Sequence, residues 1–180
     1  MLGSVKKAVF RVLCLGALCL GGLMAESNPK ELIFLGITIY TDKDFTRAKE
    51  YFEKACELNY GDGCEILGDI YHNGESVMQD LKKAFGYYSK ACELNEALTC
   101  TFVGEFYRDG EGVAKDLKKA FEYSAKACEL NDAKGCYALA AFYNEGKGVA
   151  KDEKQTKENL KKSCELGLKE ACDILKEQKQ

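Results

Sequence analysis

Tryptophan is absent from the 180 residues, proline and histidine occur once each, and charge is nearly balanced, with 26 Lys and Arg against 29 Asp and Glu. The single histidine, His72, excludes a zinc centre built from several imidazoles, and the sequence shows no histidine-based nucleophile pair. A net charge of −3 without a block of like charges leaves no footprint for nucleic acid or for an anionic membrane surface. No apolar run reaches the ~20 residues of a membrane-spanning helix, and no alternating strand pattern appears anywhere. What the chain does have is 46% apolar residues, ample for a packed core, and ten cysteines.

The first 25 residues indicate where those cysteines reside. Lys6, Lys7 and Arg11 form a basic start, Val12 to Leu20 is apolar, and Gly21 to Ala25 supplies small residues ahead of Glu26. This is the layout of a secretory signal peptide over residues 1–25. Leu13 precedes Cys14 and Leu18 precedes Cys19, so neither has the small residue that a lipoprotein anchor requires. The expected product is an exported chain without a membrane anchor, secreted or periplasmic, spanning residues 26–180 with eight cysteines and a net charge of −6. An even count in an oxidising compartment reads as four disulfides.

A period of 36 organises the rest. Cys64 to Thr99 aligns with Cys100 to Gly135 at 20 identical positions of 36, which marks a helical solenoid. The units run approximately over residues 29–63, 64–99, 100–135 and 136–171, with a C-terminal cap at 172–180. In the first unit Leu35-Gly36 lies 32 residues before Leu67-Gly68, so about four residues of loop are missing. Cys64, Leu67, Gly68 and Tyr71 fall on one face of a helix A that ends at Gly74, and Gly110 and Gly146 end the next two. Asp80 is an expected N-cap, followed by the stripe Leu81, Ala84, Phe85, Tyr88, Ala91 and Cys92 of a helix B that stops near Asn95. In the last unit Glu153, Thr156 and Lys157 replace Leu81, Ala84 and Phe85, a polar face that caps the stack.

The cysteine pairs Cys56/Cys64, Cys92/Cys100, Cys128/Cys136 and Cys164/Cys172 each enclose seven residues and recur every 36. Zinc prefers closer spacing or histidine partners, so no metal is assigned. Antiparallel A and B helices bring the end of B beside both the start of its own A and the start of the next, so Cys64 could reach Cys56 or Cys92. Pairing within units strands Cys56 and Cys172, and four bridges across the B-to-A loops are therefore expected. The cysteines are structural.

The pattern Leu-Gly, Tyr, Gly-x-Gly-Val, Asp, Lys-Ala-Phe and Lys-Ala-Cys, as in Val103-Gly104 through Cys128, resembles the Sel-one-like repeat, an α/α solenoid related to tetratricopeptide repeats. A Cys at the end of B and another at the start of A is similar to the Helicobacter cysteine-rich proteins. The resemblance covers Leu32 to Cys172, with Ser76 where the second loop glycine belongs and Val103 where leucine belongs. It implies an all-α fold and protein or peptide binding. It also implies a β-lactamase classification, with β-lactam binding and slow hydrolysis, and a peptidoglycan-like natural ligand would connect the two. The alternative is a pure protein adaptor. No cofactor is called for.

The residues themselves show no catalytic set. Ser27 and Lys30 match Ser-x-x-Lys, but the serine sits at the expected start of the first helix, and the Ser-Asp-Asn and Lys-Thr-Gly companions are missing. The segments Gly110-Glu111-Gly112 and Gly146-Lys147-Gly148 each follow a helix and precede an Asp cap, so they read as turns, not phosphate cradles. A surface can be located instead. Glu65, Asp69 and His72, then Thr101, Glu105 and Arg108, then Tyr137, Ala141 and Asn144 share one face of successive A helices and vary while the scaffold repeats. That face, with Glu65, Asp69, His72, Thr101, Glu105, Arg108, Tyr137 and Asn144, is the candidate groove. Asn73 is similar to the asparagine of peptide-carboxylate clamps, but Asp109 and Glu145 take its place in the next units.

Overall fold

The structure, a computed structural model, describes residues 28–74 and 76–178. Among them are nine helices and no strand: α1 (Pro29–Thr41), α2 (Phe45–Glu57), α3 (Gly61–Asn73), α4 (Leu81–Glu93), α5 (Ala97–Asp109), α6 (Leu117–Glu129), α7 (Ala133–Glu145), α8 (Glu153–Glu165) and α9 (Lys169–Glu177). Odd-numbered helices are the A members and even-numbered helices the B members. Each helix packs on its neighbours in the chain, and α5 also meets α7, which is the contact pattern of a solenoid. The leader expected over residues 1–25, and Ser27 with it, lie outside the described residues.

The helices start and stop where the backbone chemistry dictates. Asp80 accepts the Lys83 N–H at 3.0 Å, Asp116 that of Lys119 at 3.1 Å and Asp152 that of Gln155 at 2.9 Å, satisfying donors that a helix start leaves free. Gly74, Gly110 and Gly146 close their A helices in the left-handed conformation. Asn59, Asn95 and Asn131 adopt the same conformation just after the B helices, at φ 59°, 69° and 66°. The first A-to-B loop is Asp42 to Asp44, three residues against the seven of Gly74 to Asp80, which is the shortening the sequence implies. In α8, Glu153 and Lys157 are exposed as a polar face should be, whereas Thr156 turns inward and donates its hydroxyl to the Asp152 carbonyl at 2.8 Å.

Within a unit the helices cross where the A helix has a small residue. A Cβ on Gly68 would lie 2.4 Å from the Tyr88 ring, so only glycine lets this tyrosine be buried at the crossing. Between units the cysteines pair as expected, Cys56–Cys64, Cys92–Cys100, Cys128–Cys136 and Cys164–Cys172, with Cα atoms 4.4–4.8 Å apart. Four disulfides point to an extracytoplasmic environment. No helix among the described residues is long and apolar enough to cross a membrane.

A second device joins the units. Lys126 Nζ on α6 donates to the Cys92 carbonyl at 2.7 Å, and Lys162 on α8 repeats the contact with the Cys128 carbonyl at 2.6 Å. Each ammonium meets the negative end of the preceding B helix, where last-turn carbonyls lack intrahelical partners. Replacing Lys126 by Met keeps the aliphatic stem and removes the donor. This change is expected to lower stability by about 1 kcal/mol, read as a lower urea midpoint of the oxidised protein, and an unchanged midpoint would show that the contact is replaced by water.

Candidate functional site

The candidate groove residues sit on three A helices, and the structure divides them by what they touch. On α3, Asp69 accepts a hydrogen bond from the Tyr88 hydroxyl at 2.7 Å. Burial and this carboxylate push the tyrosine strongly upward and keep it protonated. One turn before it, half-buried Glu65 has its carboxyl raised, first by burial and then by Asp69, Glu96 and Asp62. The charges that raise it are all carboxylates. His72 lies against Phe106 and Tyr88, at ring-centroid distances of 5.9 and 6.3 Å, with Nδ1 3.1 Å from the Asn73 side-chain oxygen. With Phe102 packed on Tyr88 at 5.0 Å, these rings bridge α3 and α5.

On α5, Thr101 is buried and its hydroxyl donates to Asp132 at 2.6 Å, so it braces the cap of α7, whose Gly135 N–H the same carboxylate accepts. Glu105 is half-buried, and burial raises its carboxyl against the opposing pull of Arg108. Arg108 makes a two-point ion pair with Asp109, at 2.9 and 2.7 Å, which holds that carboxyl below the usual range. On α7, Tyr137 and Asn144 are exposed.

Among the described residues, clefts open along this face at three of its helix junctions. The first, about 300 Å³, lies between α1 and α3 and is walled by Ile37, Tyr40, Ile66 and Ile70 over Phe52, with Asp69 and Asn73 at its edge. The second, about 270 Å³, lies between α5 and α7 and holds charges of both signs, Arg108, Lys115 and Lys147 with Asp109 and Glu145. The third, about 220 Å³, is formed by α7, α8 and α9 and takes in Tyr137, Asn144, Leu160 and Ile174. Asp69, Arg108, Tyr137 and Asn144 thus line clefts, while Thr101 is engaged inside the scaffold.

The sequence reading missed Ile37, Tyr40, Lys115 and Lys147. A signal for the first two exists: at the 32-residue offset Ile33, Ile37 and Tyr40 occupy the positions of Glu65, Asp69 and His72. Moreover, α1 is apolar around most of its circumference, which is uncommon for a helix covered on one side. Among the described residues no three His, Cys, Asp or Glu side chains gather into a metal site.

Comparison with known proteins agrees with this architecture. The Sel1 repeat family matches residues 15–60, 61–96, 97–132 and 133–168. HcpC and HcpA of Helicobacter pylori, both of which bear a β-lactamase label, are each 61% identical over 83 residues, 46% of this chain. The matched stretch is 29% of the length of HcpC and 33% of that of HcpA. The crystal structure of c5321, a protective antigen of uropathogenic Escherichia coli, superposes with a TM-score of 0.79 at 29% identity, covering 87% of this chain and 34% of that one. Cysteine-rich protein B of Helicobacter pylori superposes with a TM-score of 0.59 at 45% identity, covering 73% of this chain and 95% of its own. Since four repeat matches run through most of the sequence and the cysteine staples recur at their joints, the chain belongs to the Sel1 repeat family, in the group of Helicobacter cysteine-rich proteins.

Proposed function

We propose that the protein is an exported binding scaffold whose A-helix face takes peptide-like ligands, with peptidoglycan stem peptides and β-lactams in that class. Sel1 repeats serve protein interaction, and this reading narrows the general role to short segments held in the clefts between A helices. The observation that carries it is the coincidence of two patterns. Of the face positions that differ from unit to unit, Asp69, Arg108, Tyr137 and Asn144 line the clefts, while the B-helix caps Asp80, Asp116 and Asp152 and the closing glycines Gly74, Gly110 and Gly146 repeat. A scaffold that keeps its packing and varies its grooves is organised for recognition. The lining groups are amides, carboxylates, guanidinium and phenol beside apolar walls, the mixture that fixes the orientation of a small ligand.

Calorimetric titration of the oxidised chain 26–180 with a synthetic stem peptide and with penicillin tests the proposal. Saturable binding in the micromolar range is expected, with Tyr137→Ala weakening it about tenfold. Binding of neither ligand would leave a protein adaptor without a small-molecule site. The hydrolytic half of the family resemblance is read in the same preparation with a chromogenic cephalosporin. Turnover that survives purification and disappears in Asp69→Ala would make the protein an enzyme, and turnover shared equally by wild type and variant would point to a contaminant.

A further inference from the structure

The three clefts differ in charge, and the difference bears on what the first of them holds. The α1/α3 cleft has apolar walls, and its apolar surface continues outward to Ile37 and Phe34, which remain 48% and 70% exposed. Its polar edge is Asp69 with Asn73, and Glu65 stands one helical turn before Asp69. Asp62 and Glu96 add their charge to that of Asp69 around Glu65, so negative charge gathers beside this edge, whereas the α5/α7 cleft has internal ion pairs. Apolar walls beside an anionic edge complement a ligand that places a bulky hydrophobic group next to a cation.

Resting on the peptide-binding reading above, we infer that the α1/α3 cleft docks a segment in which a large apolar side chain inserts against Ile37, Ile66 and Ile70 while an adjacent Lys or Arg meets Asp69 and Glu65. Two features support this occupant. Asp69 spends one oxygen on the Tyr88 hydroxyl, which fixes the carboxylate at the edge of the cleft. Half-buried Glu65 is held among like charges, so a ligand cation relieves a repulsion that already exists in the free protein.

The test is fluorescence anisotropy with labelled octapeptides that share one leucine anchor and carry Arg, Gln or Glu beside it. The Arg peptide is expected to bind about tenfold more tightly than the Glu peptide. That preference should vanish in Glu65→Gln/Asp69→Asn, where the asparagine still accepts the Tyr88 bond. Ile37→Ser, on an exposed position, should weaken all three peptides, with circular dichroism confirming that the variant folds. Equal affinity for the Arg and Glu peptides, or a preference that persists in the double variant, would overturn the inference while leaving the binding scaffold intact. Binding of no peptide would overturn both. Sedimentation of the free protein provides the last arm: a dimer dissolved by Ile37→Ser would make a second copy the occupant and sink the inference.

Discussion

Reduction of the four disulfides is expected to unfold the protein at room temperature. Each bridge joins cysteines eight positions apart and closes a loop of about nine residues, worth ~2.6 kcal/mol when the denatured chain is treated entropically. Four such loops sum to ~10 kcal/mol, comparable with the whole stability of an ordinary domain. The effect should be graded by position. Cys92→Ala/Cys100→Ala removes a fully buried pair between the second and third units and should lower stability by about 3 kcal/mol. Loss of Cys164–Cys172 should instead release α9, a nine-residue helix too short to persist unless docked. Urea titrations followed by circular dichroism, with and without a phosphine reductant, measure both. A reduced protein with an unshifted midpoint would mean that the repeat interfaces alone carry the fold.

Replacing Gly112 by alanine is expected to cost about 3 kcal/mol, more than most single substitutions in a repeat loop. Its φ of +65° lies in the left-handed region, and a Cβ there would stand 2.4 Å from the backbone carbonyl oxygen of Leu81, the first residue of the preceding unit's B helix. Neither partner is a flexible side chain that could swing away. Gly148 repeats the approach against Leu117, so the second glycine of each Gly-x-Gly loop is a unit-to-unit contact point. The exception in the second unit is instructive. Ser76 keeps the positive φ, 68°, and next to it a cavity of about 70 Å³ opens among Phe45, Thr46, Lys49 and Val77. A side chain fits only where the loop has room. Thermal unfolding of Gly112→Ala beside Ser76→Gly checks the pair, with a large decrease for the first and no loss for the second, and equal stability of wild type and Gly112→Ala would refute the contact.

Much of this architecture is legible in the sequence because the repeat states the same local rule several times. The Asp caps, the glycine stops and the cysteine spacing each depend on short-range chemistry, and all three reappear in the structure. The site is legible only in part. A surface position on a helix can be assigned to a face by periodicity, but whether that face opens into a cleft depends on the helix beside it. Thr101 illustrates the limit: its place on α5 is as expected, yet Asp132 of the next unit captures its hydroxyl. The first unit shows another limit. Leu67 is buried in a cluster with Phe52, Ala55 and Cys56, whereas the aligned Leu35 is 43% exposed, with no described helix ahead of α1 to cover it.

The separation of the clefts makes the face a ruler. The α1/α3 and α5/α7 clefts are two A-helix spacings apart, about 20 Å for helices packed at ordinary distances, with the His72, Tyr88, Phe102 and Phe106 rings between them. An extended chain advances about 3.3 Å per residue, so a ligand that fills both clefts needs anchors about six residues apart. Under the proposed binding role, shorter fragments would fill one cleft at a time, and the gain from joining two anchors should peak at that length and fall on either side of it.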